Sequence, residues 1–133
     1  MAQRISLPRQ PAPHTRQEEA QRTLTAATVK AAQLLDVPQR ELAPILGLSE
    51  ATVSRMAAGS YLLHPERKEW QFAALFVRLF RSLDSITGGR DELSRQWLRN
   101  HNRVLGAEPA SLLGEIESFV RVVQYLDASR API

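Results

Sequence analysis

Between His64 and Gly89 the chain reads HPERKEWQFAALFVRLFRSLDSITGG, and no other segment limits the fold as much. Pro65 stands at a helix-starting position and a Gly-Gly pair closes the run, which predicts a helix of about 22 residues. Two apolar stripes run along it. Phe72, Leu75, Phe76, Leu79, Leu83 and Ile86 make one, while Trp70, Ala73, Val77 and Phe80 make the other. A helix that is apolar on more than one face has to be covered on more than one face. Leaving the second stripe in water forfeits ~1.5–3 kcal/mol per large side chain and exposes a sticky patch. One stripe is expected to pack on the segment before this helix, and the other on the segment after it or on a second copy of the chain. The expectation drawn here is a homodimer through Phe72, Phe76, Leu79 and Leu83, the alternative being a central helix wholly covered within one chain.

The rest of the sequence is also read as helical, so the fold class is all-α. A chain of 133 residues, 44% hydrophobic, is long enough to bury a core. It contains no cysteine, so a disulfide framework and a thiolate metal site are both excluded, and the cytoplasm is the expected compartment. The longest apolar run, FAALFV, is far shorter than the ~18 residues needed to cross a bilayer, and the N-terminus lacks the apolar core of a signal peptide. No membrane role is expected. His101 has no His, Cys or carboxylate at metal-ligand spacing and no Ser or Cys nucleophile context, and His14, His64 and His101 are scattered along the chain. Neither enzymatic activity, nor a metal, nor a cofactor is therefore expected. Fifteen of the 17 basic residues are arginine, a planar fork suited to phosphate, guanine and carboxylate. The first 30 residues carry five basic and two acidic groups and residues 91–133 carry five and six, so the front of the chain is the basic end.

Residues 1–14, with three prolines and with Arg4 and Arg9, read as a flexible arm. Thr15, three positions before Glu18, has the capping-box spacing and opens a helix whose Leu24, Ala27, Ala31, Leu34 and Leu35 recur at helical period up to about Asp36. The next stretch, PQRELAPILGLSEATVSRMAAGS, carries two short helices. Leu42, Ala43 and Leu46 face inward from the first, Gly47 makes a left-handed turn, Leu48 fills the corner, and Ser49 caps a second helix closed by Gly59. Pro44 falls inside the first helix, so that helix is expected either to begin late or to bend. Val53 and Met56 make the buried face of the second, leaving Glu50, Thr52, Ser54 and Arg55 outward. That is the anatomy of a helix-turn-helix. It resembles the Xre-like, phage-repressor type of DNA-binding domain, with Ala43 and Gly47 as the small residues that let the two helices cross. The resemblance implies DNA contacts from Gln39, Arg40, Ser49, Glu50, Thr52, Ser54 and Arg55. Arg55 is the residue able to grip a guanine edge, and a two-fold dimer would present two reading helices to a palindromic operator.

After Gly89 the sequence predicts a short helix, DELSRQWLRN, with Leu93, Trp97 and Leu98 inward. A loop follows, then a restart at Pro109, and a last helix from Glu115 with Ile116, Phe119, Val120, Val123 and Leu126 on one side. The order Trp97, Leu98, Asn102, Leu105, Gly106, Pro109, Leu112, Leu113 resembles the toxin-binding domain of Xre/MbcA/ParS antitoxins. His101 stands where that pattern usually has a proline, Ser118 stands near a usual glycine, and the closing glycine is replaced by the sequence DASRAPI. What the resemblance implies is an antitoxin of the Xre-RES type. Its residues 15–89 bind DNA and dimerise, and its residues 90–133 cover the active site of a RES-domain, NAD-consuming toxin while the chain represses its own operon. Trp97, Asn102, Gly106 and Pro109 are expected as scaffold, and Arg121, Gln124, Tyr125, Asp127, Arg130 and Ile133 as toxin contacts on the solvent side of the last helix and tail. The competing reading is a stand-alone helix-turn-helix regulator whose C-terminal module senses a ligand or only dimerises.

Overall fold

A computed structural model describes residues 15–130. The arm at residues 1–14, with Arg4 and Arg9, and the expected contact at Ile133 lie outside the described residues. Six α-helices and one 3₁₀ turn make up the regular structure of the described chain: α1 (Arg16–Leu34), α2 (Gln39–Leu46), α3 (Glu50–Ala57), α4 (Lys68–Thr87), α5 (Asp91–Arg99), the turn Pro109–Leu112, and α6 (Ile116–Arg130). The all-α expectation holds. No described helix is long and apolar enough to cross a membrane.

The helix starts follow from local chemistry. Thr15 accepts a 3.1 Å bond from the Glu18 amide at the head of α1, and Ser49 does the same for Thr52 at the head of α3. Each removes one of the orphan donors of a helix N-terminus. The helix α2 begins at Gln39 although Pro44 lies inside it, so the late-start alternative is excluded. Pro44 is exposed and near the end of the helix, where its missing donor leaves only the Arg40 carbonyl without its helical partner.

The turn between α2 and α3 is built on Gly47, at φ 68°, where an added Cβ would lie 3.3 Å from the Phe72 ring. Two independent effects therefore oppose a side chain here, left-handed backbone strain and crowding by α4. Gly47→Ala is expected to lower stability by about 1–2 kcal/mol, checked by urea denaturation; an unchanged midpoint would show that Phe72 and the turn relax without cost.

The central helix departs from the expected bounds. It starts at Lys68 rather than at Pro65, because the preceding segment is held in another shape by a buried carboxylate. Glu69 accepts the Tyr61 hydroxyl at 2.7 Å and the His64 amide at 3.1 Å. Those bonds fold residues 61–66 back over the first turn of α4. Burial, with the Glu69 carboxylate second, raises the Tyr61 pKa.

The helix is apolar on two faces, as expected, and the middle of it is covered within one chain, while Trp70, Phe72, Leu75 and Phe80 are half-buried and Ile86 is exposed. Phe76, Leu79 and Leu83 are wholly buried, and Phe72 packs beside Gly47. Phe76, Leu79 and Leu83 are thus unavailable to the dimer interface expected of them, whereas Phe72 is half-buried: α4 is the shared core, with α1 and α2 on one side and α5 and α6 on the other. Its polar residues help seat the last helix. Ser82, fully buried, donates to Asp127 at 2.8 Å, Arg78 pairs with the same carboxylate, and Arg130 reaches the Ser82 hydroxyl at 3.2 Å.

Two helix faces are rotated relative to expectation. In α5 Leu98 is buried but Leu93 is exposed, and Ser94 takes the inner position, its hydroxyl 3.0 Å from that of Thr87. In α6 Phe119, Val123 and Leu126 are buried as expected, Val122 joins them, and Ile116 is exposed.

Candidate nucleic-acid interface and docking module

The face of α3 opposite Val53 and Met56 is organised by one line of hydrogen bonds. The Ser49 and Thr52 hydroxyls lie 2.9 Å apart, and Arg55 Nη2 donates to the Thr52 hydroxyl at 3.0 Å. The arginine fork is thus tethered one turn from the helix cap. Glu50, Ser54 and Arg55 are exposed, while Thr52 is half-buried beneath them. The only cation on this helix is Arg55, in its last turn. Beyond it the chain closes back on itself, with the Ser60 amide bonding the Arg55 carbonyl at 2.9 Å. Gln39 and Arg40 are exposed in the first turn of α2, which has no side-chain cap. An exposed, dipole-positive helix start and an outward arginine on the neighbouring helix are groups that can meet phosphate and base edges.

The second module is built around Asn102. Its side-chain oxygen accepts the Leu105 amide at 3.0 Å, its carbonyl accepts the Gly106 amide at 2.8 Å, and its own amide bonds the Ala107 carbonyl at 3.0 Å. Gly106, at φ 77°, supplies the left-handed residue that such a closed loop needs. Pro109 is buried at the start of the 3₁₀ turn. The Ser118 hydroxyl donates to the Leu112 carbonyl at 2.6 Å and so joins that turn to α6. Trp97 and Tyr125 stack with centroids 6.3 Å apart and planes 21° apart.

The residues expected as contacts on α6 do not share one surface. Gln124 is exposed, Tyr125 is half-buried against Trp97, and Arg121 is exposed but donates to the Leu105 carbonyl at 2.6 Å. Asp127, which had been placed on the solvent side, is half-buried and accepts from Ser82 of α4, whereas Arg130 is exposed as expected and reaches the same hydroxyl.

The two modules are also tied directly. Arg99 of α5 makes a two-pronged pair with Glu41 of α2, at 3.0 and 2.7 Å, and Arg95 donates to the Leu34 carbonyl at the end of α1 at 2.8 Å. The bond to Glu41 raises the Arg99 pKa further above its ordinary value. Being partly exposed, the pair contributes about 1 kcal/mol at most. Its partners are 58 residues apart, so only the folded chain shows it.

Residues 15–78 match the antitoxin Xre-like helix-turn-helix domain, and residues 82–131 match the antitoxin Xre/MbcA/ParS C-terminal toxin-binding domain. A search of curated proteins finds no match. The first match contains the capped α3 with its outward arginine, and the second contains the Asn102 loop and the Trp97–Tyr125 pair. With both domains present in one chain and in this order, the protein belongs to the Xre-type antitoxins, a family that joins a DNA-binding helix-turn-helix to a toxin-binding domain.

Proposed function

We propose that the protein neutralises a RES-domain toxin, one that consumes NAD or uses it to modify a target, by covering the toxin's active site. We further propose that it represses the operon encoding both proteins through α3. The observation that carries this reading is the toxin-binding domain match over residues 82–131, folded directly against a helix-turn-helix whose outer face is free of the core. The division of labour runs through α4: residues 15–89 bind DNA, and residues 90–133 dock the toxin. Arg55 reads a guanine edge, while Gln39, Arg40, Ser49, Glu50, Thr52 and Ser54 frame it. On the docking side Arg121, Gln124 and Tyr125 are the contacts on α6. One α3 carries one cation, so a single copy binds weakly; two copies act on a palindromic operator, meeting elsewhere than the buried stripes of α4.

The test is co-expression with the product of the adjacent reading frame. The two proteins are expected to copurify, and cellular NAD is expected to fall when the partner is expressed alone and to recover when this chain is supplied. A neighbour that neither binds the chain nor depletes NAD would remove the reading.

A further inference from the structure

Among the described residues four large hydrophobic side chains are exposed: Ile86 (43%), Leu93 (39%), Val104 (72%) and Ile116 (47%). All four lie within the toxin-binding match, and none lies within the helix-turn-helix match. One module therefore buries its large apolar groups while the other leaves some in water, which marks the second as the one that meets a partner.

Two of these side chains belong to one band. Leu93 and Trp97 are one turn apart on α5, so they share a face. Trp97 stacks on Tyr125, and Tyr125 lies one turn from Arg121 on α6. Arg121 in turn holds the carbonyl of Leu105, the residue next to Val104. The band thus crosses from α5 over α6 to the loop, with an aromatic pair at its centre and arginines 103 and 121, both exposed, at its loop end. Ile116 is off it, at the start of α6 and about 140° around the helix from Arg121.

We infer that this band, Leu93–Trp97–Tyr125–Val104, is the seat of the toxin, resting on the proposed toxin partner, and that it accepts an apolar patch flanked by carboxylates that face Arg103 and Arg121. An aromatic pair between an aliphatic residue on each side, with arginine at one rim, has the composition of an interface centre and not of a solvated surface. The pair is already stacked, so docking on it costs little side-chain ordering. The loop beneath Val104 is likewise fixed beforehand by Asn102.

The test titrates the isolated product of the adjacent gene with the full chain and with single variants, operator DNA binding serving as the check of fold. Leu93→Asp and Val104→Asp replace exposed side chains and leave the core intact. Each is expected to weaken toxin binding by about 30-fold or more, whereas Ile116→Asp stays within about threefold of wild type. Wild-type affinity in both band variants overturns the surface. An equal loss at Ile116→Asp overturns its location on the band. Absence of binding by the wild-type chain overturns the proposed partner and this surface together.

Discussion

Phe76→Ala is expected to cost about 3–5 kcal/mol of folding stability, by the same amount whatever the protein concentration. The side chain is wholly buried on the central helix, in the core shared by the two modules. Its removal forfeits the transfer free energy of the ring and leaves a cavity that the surrounding leucines fill only in part. A domain of this size has a total stability of about 5–15 kcal/mol, so the loss consumes a large share of it. DNA binding and toxin binding should therefore fail together, although Phe76 belongs to neither surface. Urea denaturation at several protein concentrations checks this. Were Phe76 an intersubunit residue, its substitution would weaken association and the loss would grow on dilution. A penalty that depends on concentration, or a penalty below about 1 kcal/mol, would contradict the intrachain core.

What the sequence made legible was whatever depends on neighbours a few residues away. Thr15 and Ser49 as caps, Gly47 and Gly106 as left-handed turns, and Asn102 as the tie of its loop are each local, and each is found where its chemistry requires. The helix-turn-helix and the docking module were visible for the same reason. What failed was the choice between faces. On α4 both stripes are apolar, so the pattern says that two surfaces are covered but not by what; the covering is done by α6 as much as by the helix-turn-helix. On α5 the inner place goes to Ser94 because Thr87, across the Gly-Gly turn, offers it a hydrogen bond. Hydrophobic periodicity cannot anticipate that choice.

The same limit governs the buried polar groups. Glu69, Ser82, Thr25 and Thr28 are all buried, and a reading that sends polar residues to the surface misplaces each of them. Glu69 moved the start of α4, and Ser82 drew Asp127 into the seam between α4 and α6. The Thr25 hydroxyl accepts the Leu63 amide at 3.0 Å and so fixes the segment after α3 against α1. In each case the partner is a distant backbone or side-chain group that only the fold supplies. The sequence reading named Trp97 and Tyr125 separately, and their stacking across 28 residues is a contact that only the fold supplies.

Arg55→Ala is expected to abolish recognition of the operator while leaving the fold unchanged. The side chain is exposed, so its removal disturbs no packing; the structural loss is one surface hydrogen bond to Thr52 and a favourable charge near the end of α3, a few tenths of a kcal/mol in all. On the DNA side the loss is much larger. A two-pronged arginine–guanine contact supplies about 1–3 kcal/mol of discrimination, and two copies on a palindrome double it to about 2–6 kcal/mol. No other cation on α3 can substitute, and Glu50 offers the wrong charge. The tether to Thr52 sharpens the expectation, because a fork already held by a hydrogen bond has less freedom to lose on binding. A phosphate contact and a base contact are separable by experiment. Losing a phosphate partner weakens binding to every sequence and flattens the salt dependence by about one unit of slope; losing a base contact removes preference at one position and leaves the slope alone. The measurement is therefore a titration of the variant, at several salt concentrations, against a site selected by the wild-type chain from random DNA and against the same site with single base-pair changes. Loss confined to the selected site at an unchanged salt slope is the expected result. Equal weakening on all sequences would make Arg55 a backbone anchor and move sequence reading to another residue of α3.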